Sequence, residues 1–122
     1  MVLHHCGIRA SDFAASKAFY TTALAPLGVV CFYEGEIVAE FGHESGDGPS
    51  LSLHEGEPTE RLHLAFLATS RQAVDSFYAA AIEVGGRDNG PPGPRPHYRA
   101  YCAFVLDPDG NNVEALVKDA SP

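Results

Sequence analysis

Positive charge is scarce in this sequence: eight Lys and Arg stand against sixteen Asp and Glu, a formal net charge of −8. The eight cations are scattered, so no basic patch exists for a nucleic acid or an anionic membrane surface. Long apolar runs are missing as well. No stretch approaches the ~18 residues that cross a bilayer, and Met1-Val2-Leu3 runs straight into His4 and His5, unlike a secretion signal. Cysteine is sparse and odd in number: Cys6, Cys31 and Cys102 lie far apart without a CxxC, which excludes zinc-finger and disulfide-framework readings. A reducing, cytoplasmic setting follows as the expectation. What is present, 45% hydrophobic and 20% charged residues, is the composition of an ordinary globule. At 122 residues the chain is one domain with room for a real core.

That domain is built from a repeat. Shifted by 58 positions, His5 through Gly28 aligns without gaps on His63 through Gly86, with seven of 24 positions identical. Roughly two would be expected by chance at average residue usage. The informative matches are His5/His63, Phe19/Phe77, Tyr20/Tyr78 and Gly28/Gly86; three alanine matches carry less weight. Module one spans about 1–58 and module two about 59–122.

Each copy opens with a strand (3–9 and 62–68) and continues in helical period. Phe13, Phe19, Tyr20, Ala23 and Leu24 share one face of the first helix. Val74, Phe77, Tyr78, Ala81 and Ile82 share one face of the second. Ser11 is the expected first N-cap, and Thr69 with Gln72 the expected second capping box. Pro26 with Gly28 stops one helix and Gly85-Gly86 the other. Strands are then expected at 29–34, 37–42, 50–55, 100–106 and 112–117. A weak strand lies near 86–89, and 88–94, rich in Pro and Gly, reads as a loop. The unit is β-α-β-β-β, twice, an α+β fold.

Side chains alternate along a strand, so parity separates two faces. Ile8, Leu64, Phe66, Val113 and Ala115 belong under the helices. His5, Gly7, Arg9, His63, Ala65, Asn112 and Glu114 take the opposite face. Leu51 and Leu53 face the helix while Ser50, Ser52 and His54 do not. A curled sheet with helices outside would bring His5, His63 and Glu114 together, with room beside Gly7 and Ala65. Two imidazoles and one carboxylate suit Fe2+, Mn2+, Zn2+ or Ni2+ and leave positions open for substrate or water. The competing reading is three unrelated strand residues, since their spacing forms no local motif.

The run His5-Cys6-Gly7-Ile8-Arg9-Ala10-Ser11-Asp12-Phe13, with Phe19-Tyr20 and Leu24-Ala25-Pro26-Leu27-Gly28, resembles the opening of vicinal oxygen chelate proteins. The second opening, His63-Leu64-Ala65-Phe66, and the ending Phe104 to Glu114 through Asp107-Pro108-Asp109-Gly110-Asn111 match the same pattern. That superfamily includes glyoxalase I, the bleomycin- and fosfomycin-resistance proteins and the extradiol dioxygenases. The resemblance covers essentially the whole chain. It implies two βαβββ modules curled around one divalent ion, with His5, His63 and Glu114 at three ligand positions. The fourth position falls on Ser52 or His54, where glyoxalase I has a glutamate; Glu55 faces the wrong way. The His-His-Glu set instead resembles the dioxygenase and fosfomycin-transferase arrangements.

Such a site implies Lewis-acid chemistry on the oxygens of a small molecule, by a lyase, isomerase, transferase or dioxygenase. Glu114, His54 and Tyr98 are the candidate catalytic residues, His54 and also His97 as acid or base and Tyr98 as lid or donor beside the Pro/Gly-rich segment. A surface role competes for each histidine, and plain packing for Tyr98. Arg9 could pair with a carboxylate or phosphonate, or lie exposed at the edge. Ser52, Cys102 and Phe104 are candidate pocket residues, although parity leaves open whether Cys102 with Phe104 or Tyr101 with Ala103 turns inward. Cys102 reads equally as a structural thiol. The alternative function is metal-free antibiotic binding of the bleomycin-resistance type; a scaffold that has lost the chemistry is a third. A homodimer is expected, its cleft within one chain or between two.

Overall fold

The computed structural model describes residues 2–47 and 50–119. Module one contains β1 (His5–Ala10), α1 (Phe13–Leu24), β2 (Val29–Glu34), β3 (Val38–His43) and β4 (Ser50–Glu55). Module two contains β5 (His63–Leu67), α2 (Arg71–Glu83), β6 (Arg87–Arg95), β7 (Ala100–Leu106) and β8 (Asn112–Lys118). The strand orders are β1-β4-β3-β2 and β5-β8-β7-β6, the same topology twice. β1 runs parallel to β4 and β5 parallel to β8, with the remaining pairs antiparallel. The expected curled sheet is thus divided into two four-stranded sheets, with β1 and β5 each at an edge.

Both helices bury the faces that their periodicity marks. Phe19, Tyr20, Ala23 and Leu24 from α1 and Val74, Phe77 and Ala81 from α2 join Ile8, Phe41, Leu53, Val105, Val113 and Ala115 in one shared core. Ile82 departs from its expected face and remains exposed. The modules are therefore fused through their helices, since α1 and α2 pack on each other. No helix among the described residues is long and apolar enough to cross a membrane.

Two helix starts differ from expectation by one residue. Asp12 caps α1, its carboxylate accepting from Ala15 N at 3.1 Å. Ser11 instead donates its hydroxyl to Asp109 Oδ1 at 2.5 Å across the module junction. Ser70 caps α2 by accepting from Ala73 N at 3.1 Å, leaving Thr69 and Gln72 out of the capping role. A carboxylate or hydroxyl at either adjacent position can meet an orphan N–H, and backbone geometry selects which one does.

The larger correction is β6. Residues 88–94 are strand, within Arg87–Arg95, and pair antiparallel with β7 through register shifts around Gly90 and Gly93. Proline has no N–H for a ladder, so it belongs on an edge or at a bulge. β6 is an edge strand, which lets Pro91, Pro92 and Pro94 sit in a sheet.

Candidate functional site

The Asp107-Pro108-Asp109-Gly110-Asn111 turn positions the site before any functional side chain is reached. Buried Asp107 accepts from Tyr20 Oη at 2.6 Å, from the Asn111 amide at 3.0 Å, and from the backbone N–H groups of Asp109 and Asn111, both at 2.9 Å. Burial and then the Asp107 charge hold the Tyr20 phenol well above its ordinary pKa. The Asn111 side chain also donates to Thr59 O at 2.7 Å and accepts from Leu62 N at 2.9 Å. One turn thereby fastens α1 and aligns the start of β5 beside β8.

That alignment joins two predicted residues. His63 pairs in register with Asn112, and Ala65 with Glu114. His63 Nε2 donates to Glu114 Oε1 at 2.7 Å; the carboxylate is 7% exposed whereas the imidazole is half open to solvent. The β7–β8 register sets Phe104 opposite Glu114 and Cys102 opposite Leu116, which resolves the parity left open by the sequence. Cys102 and Phe104 share the Glu114 face, while Tyr101 lies on the other side and donates to Asp75 of α2 at 2.7 Å. Burial, then the Glu114 carboxylate, push the Cys102 thiol up to about 11, with Arg95 and Lys118 pulling partly the other way. A fully buried thiol with so high a pKa is not a nucleophile at neutral pH.

The other candidates occupy the second sheet. His5, Gly7 and Arg9 stand opposite Ser50, Ser52 and His54 on adjoining strands, all on the face turned away from the helices. His5 sits against the His4 ring, their Nδ1 atoms 2.9 Å apart. Arg9 runs along the turn at Gly56, where an added Cβ would meet its Cδ at 3.1 Å. His54 is exposed. Tyr98 lies in a 3-10 turn, half-exposed against the His97 ring, and its carbonyl accepts from Lys118 Nζ.

The predicted set is therefore split. His63, Glu114, Cys102 and Phe104 share one sheet face; His5, Arg9, Ser52 and His54 share the face of the other sheet. Among the described residues no three His, Cys, Asp or Glu side chains come together as a cation cage. Within one chain His5 thus lies on a different sheet from His63 and Glu114, and the sequence leaves open whether the cleft forms within one chain or between two. Parity assigns a face within a sheet but does not specify how separate sheets are placed.

Two site residues escaped the sequence reading. Glu40 of β3 pairs in register with Ser52, whose hydroxyl donates to Glu40 Oε2 at 3.0 Å. The open face of the first sheet thus carries a carboxylate one strand away from the expected fourth position. Counting parity along β3 from Phe41 would have found it. Arg95 of β6 lies over the Phe104 ring, 5.5 Å from its centroid. No periodicity could reveal it, because 88–94 reads as loop.

Two concavities flank these faces. One, about 340 Å³, is apolar and lies between Cys6, Phe41 and Leu51 of the first module and Leu64 and Phe66 of the second. The other, about 440 Å³, lies over Val30, Phe32, Gly42 and Ser50 on the open face of the first sheet.

The same architecture recurs in known proteins. A glyoxalase/bleomycin resistance protein from Albidiferax ferrireducens T118 superposes with a TM-score of 0.82 at 27% identity, covering 97% of this chain and 99% of that one. A putative glyoxalase from Bacillus halodurans gives a TM-score of 0.74 at 23% identity, with 95% of each chain covered. Lactoylglutathione lyase from Agrobacterium tumefaciens gives 0.67 at 19%, with 95% and 92% covered, a likeness of fold. None of the curated proteins matches by sequence. Residues 2–115 match the profile of one family: the chain belongs to the glyoxalase/bleomycin resistance protein/dioxygenase superfamily.

Proposed function

We propose that the protein is a small metal-dependent enzyme of this superfamily, acting on an oxygen-rich small molecule. The observation that carries the reading is the His63–Glu114 pair, an imidazole nitrogen and a carboxylate oxygen 2.7 Å apart at the edge of an open sheet face. Both are donors suited to Fe2+, Mn2+, Zn2+ or Ni2+. One protomer assembles only two of the three expected donors, so the fit is partial within a chain and needs His5 from elsewhere. A homodimer supplies it when the first sheet of one copy stands beside the second sheet of the other, closing two equivalent sites. The edge positions of β1 and β5 support that arrangement.

A bound divalent ion supplies Lewis acidity toward substrate oxygens. The chain's own groups then orient and shield. Glu114, almost buried, fixes the His63 ring. Phe104, its ring centroid 6.3 Å from that of His63, and Leu116 give the face an apolar floor that limits water. The free thiols Cys6, Cys31 and Cys102 are consistent with a reducing, cytoplasmic setting.

Metal-free binding of a small molecule, as in the bleomycin-resistance branch, is the second reading. It is favoured by the direct His63–Glu114 contact, which satisfies both groups without an ion, and by the apolar 340 Å³ cleft. Metal content of untagged protein decides between the two. The enzyme reading expects about one equivalent of divalent ion per chain after loading with Fe2+, Mn2+, Zn2+ or Ni2+, lost in His63→Ala. Wild type that binds no more than His63→Ala leaves the binding protein as the function.

A further inference from the structure

Arg95 is held in place by backbone carbonyls of its own strand. Its Nη1 donates to Gly93 O at 2.7 Å and its Nη2 to Pro91 O at 2.9 Å, so the side chain folds back over its own strand. The guanidinium carbon lies 5.5 Å from the Phe104 ring centroid. Gly90 and Gly93 make this fold-back possible. An added Cβ at Gly93 would meet Arg95 Nη1 at 3.2 Å, and one at Gly90 would meet Phe104 Cδ1 at 2.9 Å and Arg95 Nη2 at 3.4 Å.

Two of the five guanidinium N–H groups are used by the carbonyls, leaving three to bond elsewhere. Among the described residues no carboxylate reaches salt-bridge distance of Arg95, in a chain with twice as many acids as bases. The carbonyl bonds and the ring contact restrict the side chain, so little rotamer entropy remains to be lost when an anion docks. Phe104 also faces the His63 ring, at 6.3 Å, so one aromatic ring separates the fixed cation from the His63–Glu114 pair. Lys118 lies on the same sheet face, level with Ala100.

We propose that Arg95 anchors an anionic group, a carboxylate or a phosphonate, of the small molecule whose oxygens meet His63 and Glu114. The ligand class is thus a short acid bearing a hydroxyl or carbonyl oxygen a few bonds from its charge. The assignment rests on reading His63 and Glu114 as the oxygen-binding end. The register shift of β6 between Gly90 and Gly93 acquires a purpose in it: it leaves Pro91 without a ladder partner, and the Pro91 carbonyl holds the guanidinium.

Three probes test this by NMR titration of the full-length protein, with and without added diamagnetic Zn2+: lactate, its uncharged amide lactamide, and methylphosphonate. Lactate or methylphosphonate should shift the backbone signals of Gly93, Arg95 and Phe104, and whichever of the two binds more tightly identifies the anion type. Lactamide should leave them in place. Arg95→Met should weaken anion binding about tenfold, and Arg95→Lys should recover part of it, because a lysine keeps the charge but not the fork. Should Arg95→Met fail to fold, Arg95→Lys and the lactate–lactamide contrast in wild type carry the same test. The proposal is overturned if neither anion binds, if lactamide binds as well as lactate, or if Arg95→Met binds anions like wild type. Zinc uptake keeps the two readings apart. Loss of zinc without loss of Arg95-dependent anion binding removes the metal reading alone, and intact zinc uptake with anion binding indifferent to Arg95 removes this one alone.

Discussion

Tyr20 shows how one hydroxyl can hold two modules together. It is fully buried on α1, and its bond to Asp107 crosses from the first copy to the second. Replacing it by Phe keeps the ring and leaves Asp107 one donor short, which should cost about 1–3 kcal/mol. Because burial and Asp107 raise the phenol's pKa, the folded state keeps this proton at pH values where the unfolded chain releases it. The stability it contributes is complete below the ordinary phenol pKa of about 10 and declines as pH rises past that value. Urea denaturation of wild type and Tyr20→Phe from pH 8 to 11 checks both points. The variant should be weaker at pH 8 and lose less on going to pH 11. The sequence revealed Tyr20 as half of a repeated Phe-Tyr pair on the apolar helix face, but not its bond to Asp107, since that partner lies 87 positions away.

At the scale of elements, the repeat is faithful in topology and diverges in detail. Gly28 and Gly86 align in the two copies but answer different needs. Gly28 has φ +77° and ends the 3-10 turn Ala25–Leu27 in the left-handed region. Gly86 has no such angle; it lies where α2, β7 and α1 converge. A Cβ there would stand 2.5 Å from Val105 Cγ1, 2.7 Å from Ala81 O and 2.8 Å from Phe19 Cε1. Gly86→Ala should therefore cost about 3 kcal/mol, as overpacking against backbone cannot be relieved by a rotamer change. Gly7→Ala meets nothing within 4 Å and should leave the thermal midpoint unchanged. Differential scanning calorimetry of the two variants distinguishes packing from open space. Strands 29–34, 50–55 and 100–106 were legible to the residue, because turn residues bracket apolar runs. β6 was not. Its prolines and glycines argue for a loop until an edge position, known only from the assembled sheet, accommodates them.

At the scale of the whole molecule, the proposed metal site needs donors from both sheets. His5 and Glu40 lie on one sheet, His63 and Glu114 on the other, and the shared helical core holds the sheets apart within a chain. If two copies complete each other, inactive variants should rescue one another. His5→Ala and His63→Ala proteins, each expected to load no metal alone, are refolded together in equal amounts. Half of the dimers are then mixed, and each mixed dimer has one intact and one doubly damaged site, so about a quarter of the metal capacity should return. No recovery after subunit exchange, verified by mass spectrometry, would place the site within a single chain.

The sequence alone determined the duplication, the α+β class, the helical faces apart from Ile82, and the faces of β1, β4, β5 and β8. These follow from short periods, 2 for strands and 3.6 for helices, together with local turn chemistry. It also marked His63 and Glu114, the pair that the fold brings to 2.7 Å. Tertiary structure decided what periodicity does not encode: the separation of the sheets, the distance of His5 from its expected partners, and the recruitment of Glu40 and Arg95 to the two open faces. The physical reason is range. A side chain's face is set by its neighbours along the strand, whereas the distance between two faces is set by the packing of α1 on α2 and by the Asp107–Tyr20 clasp, contacts between residues far apart in the chain.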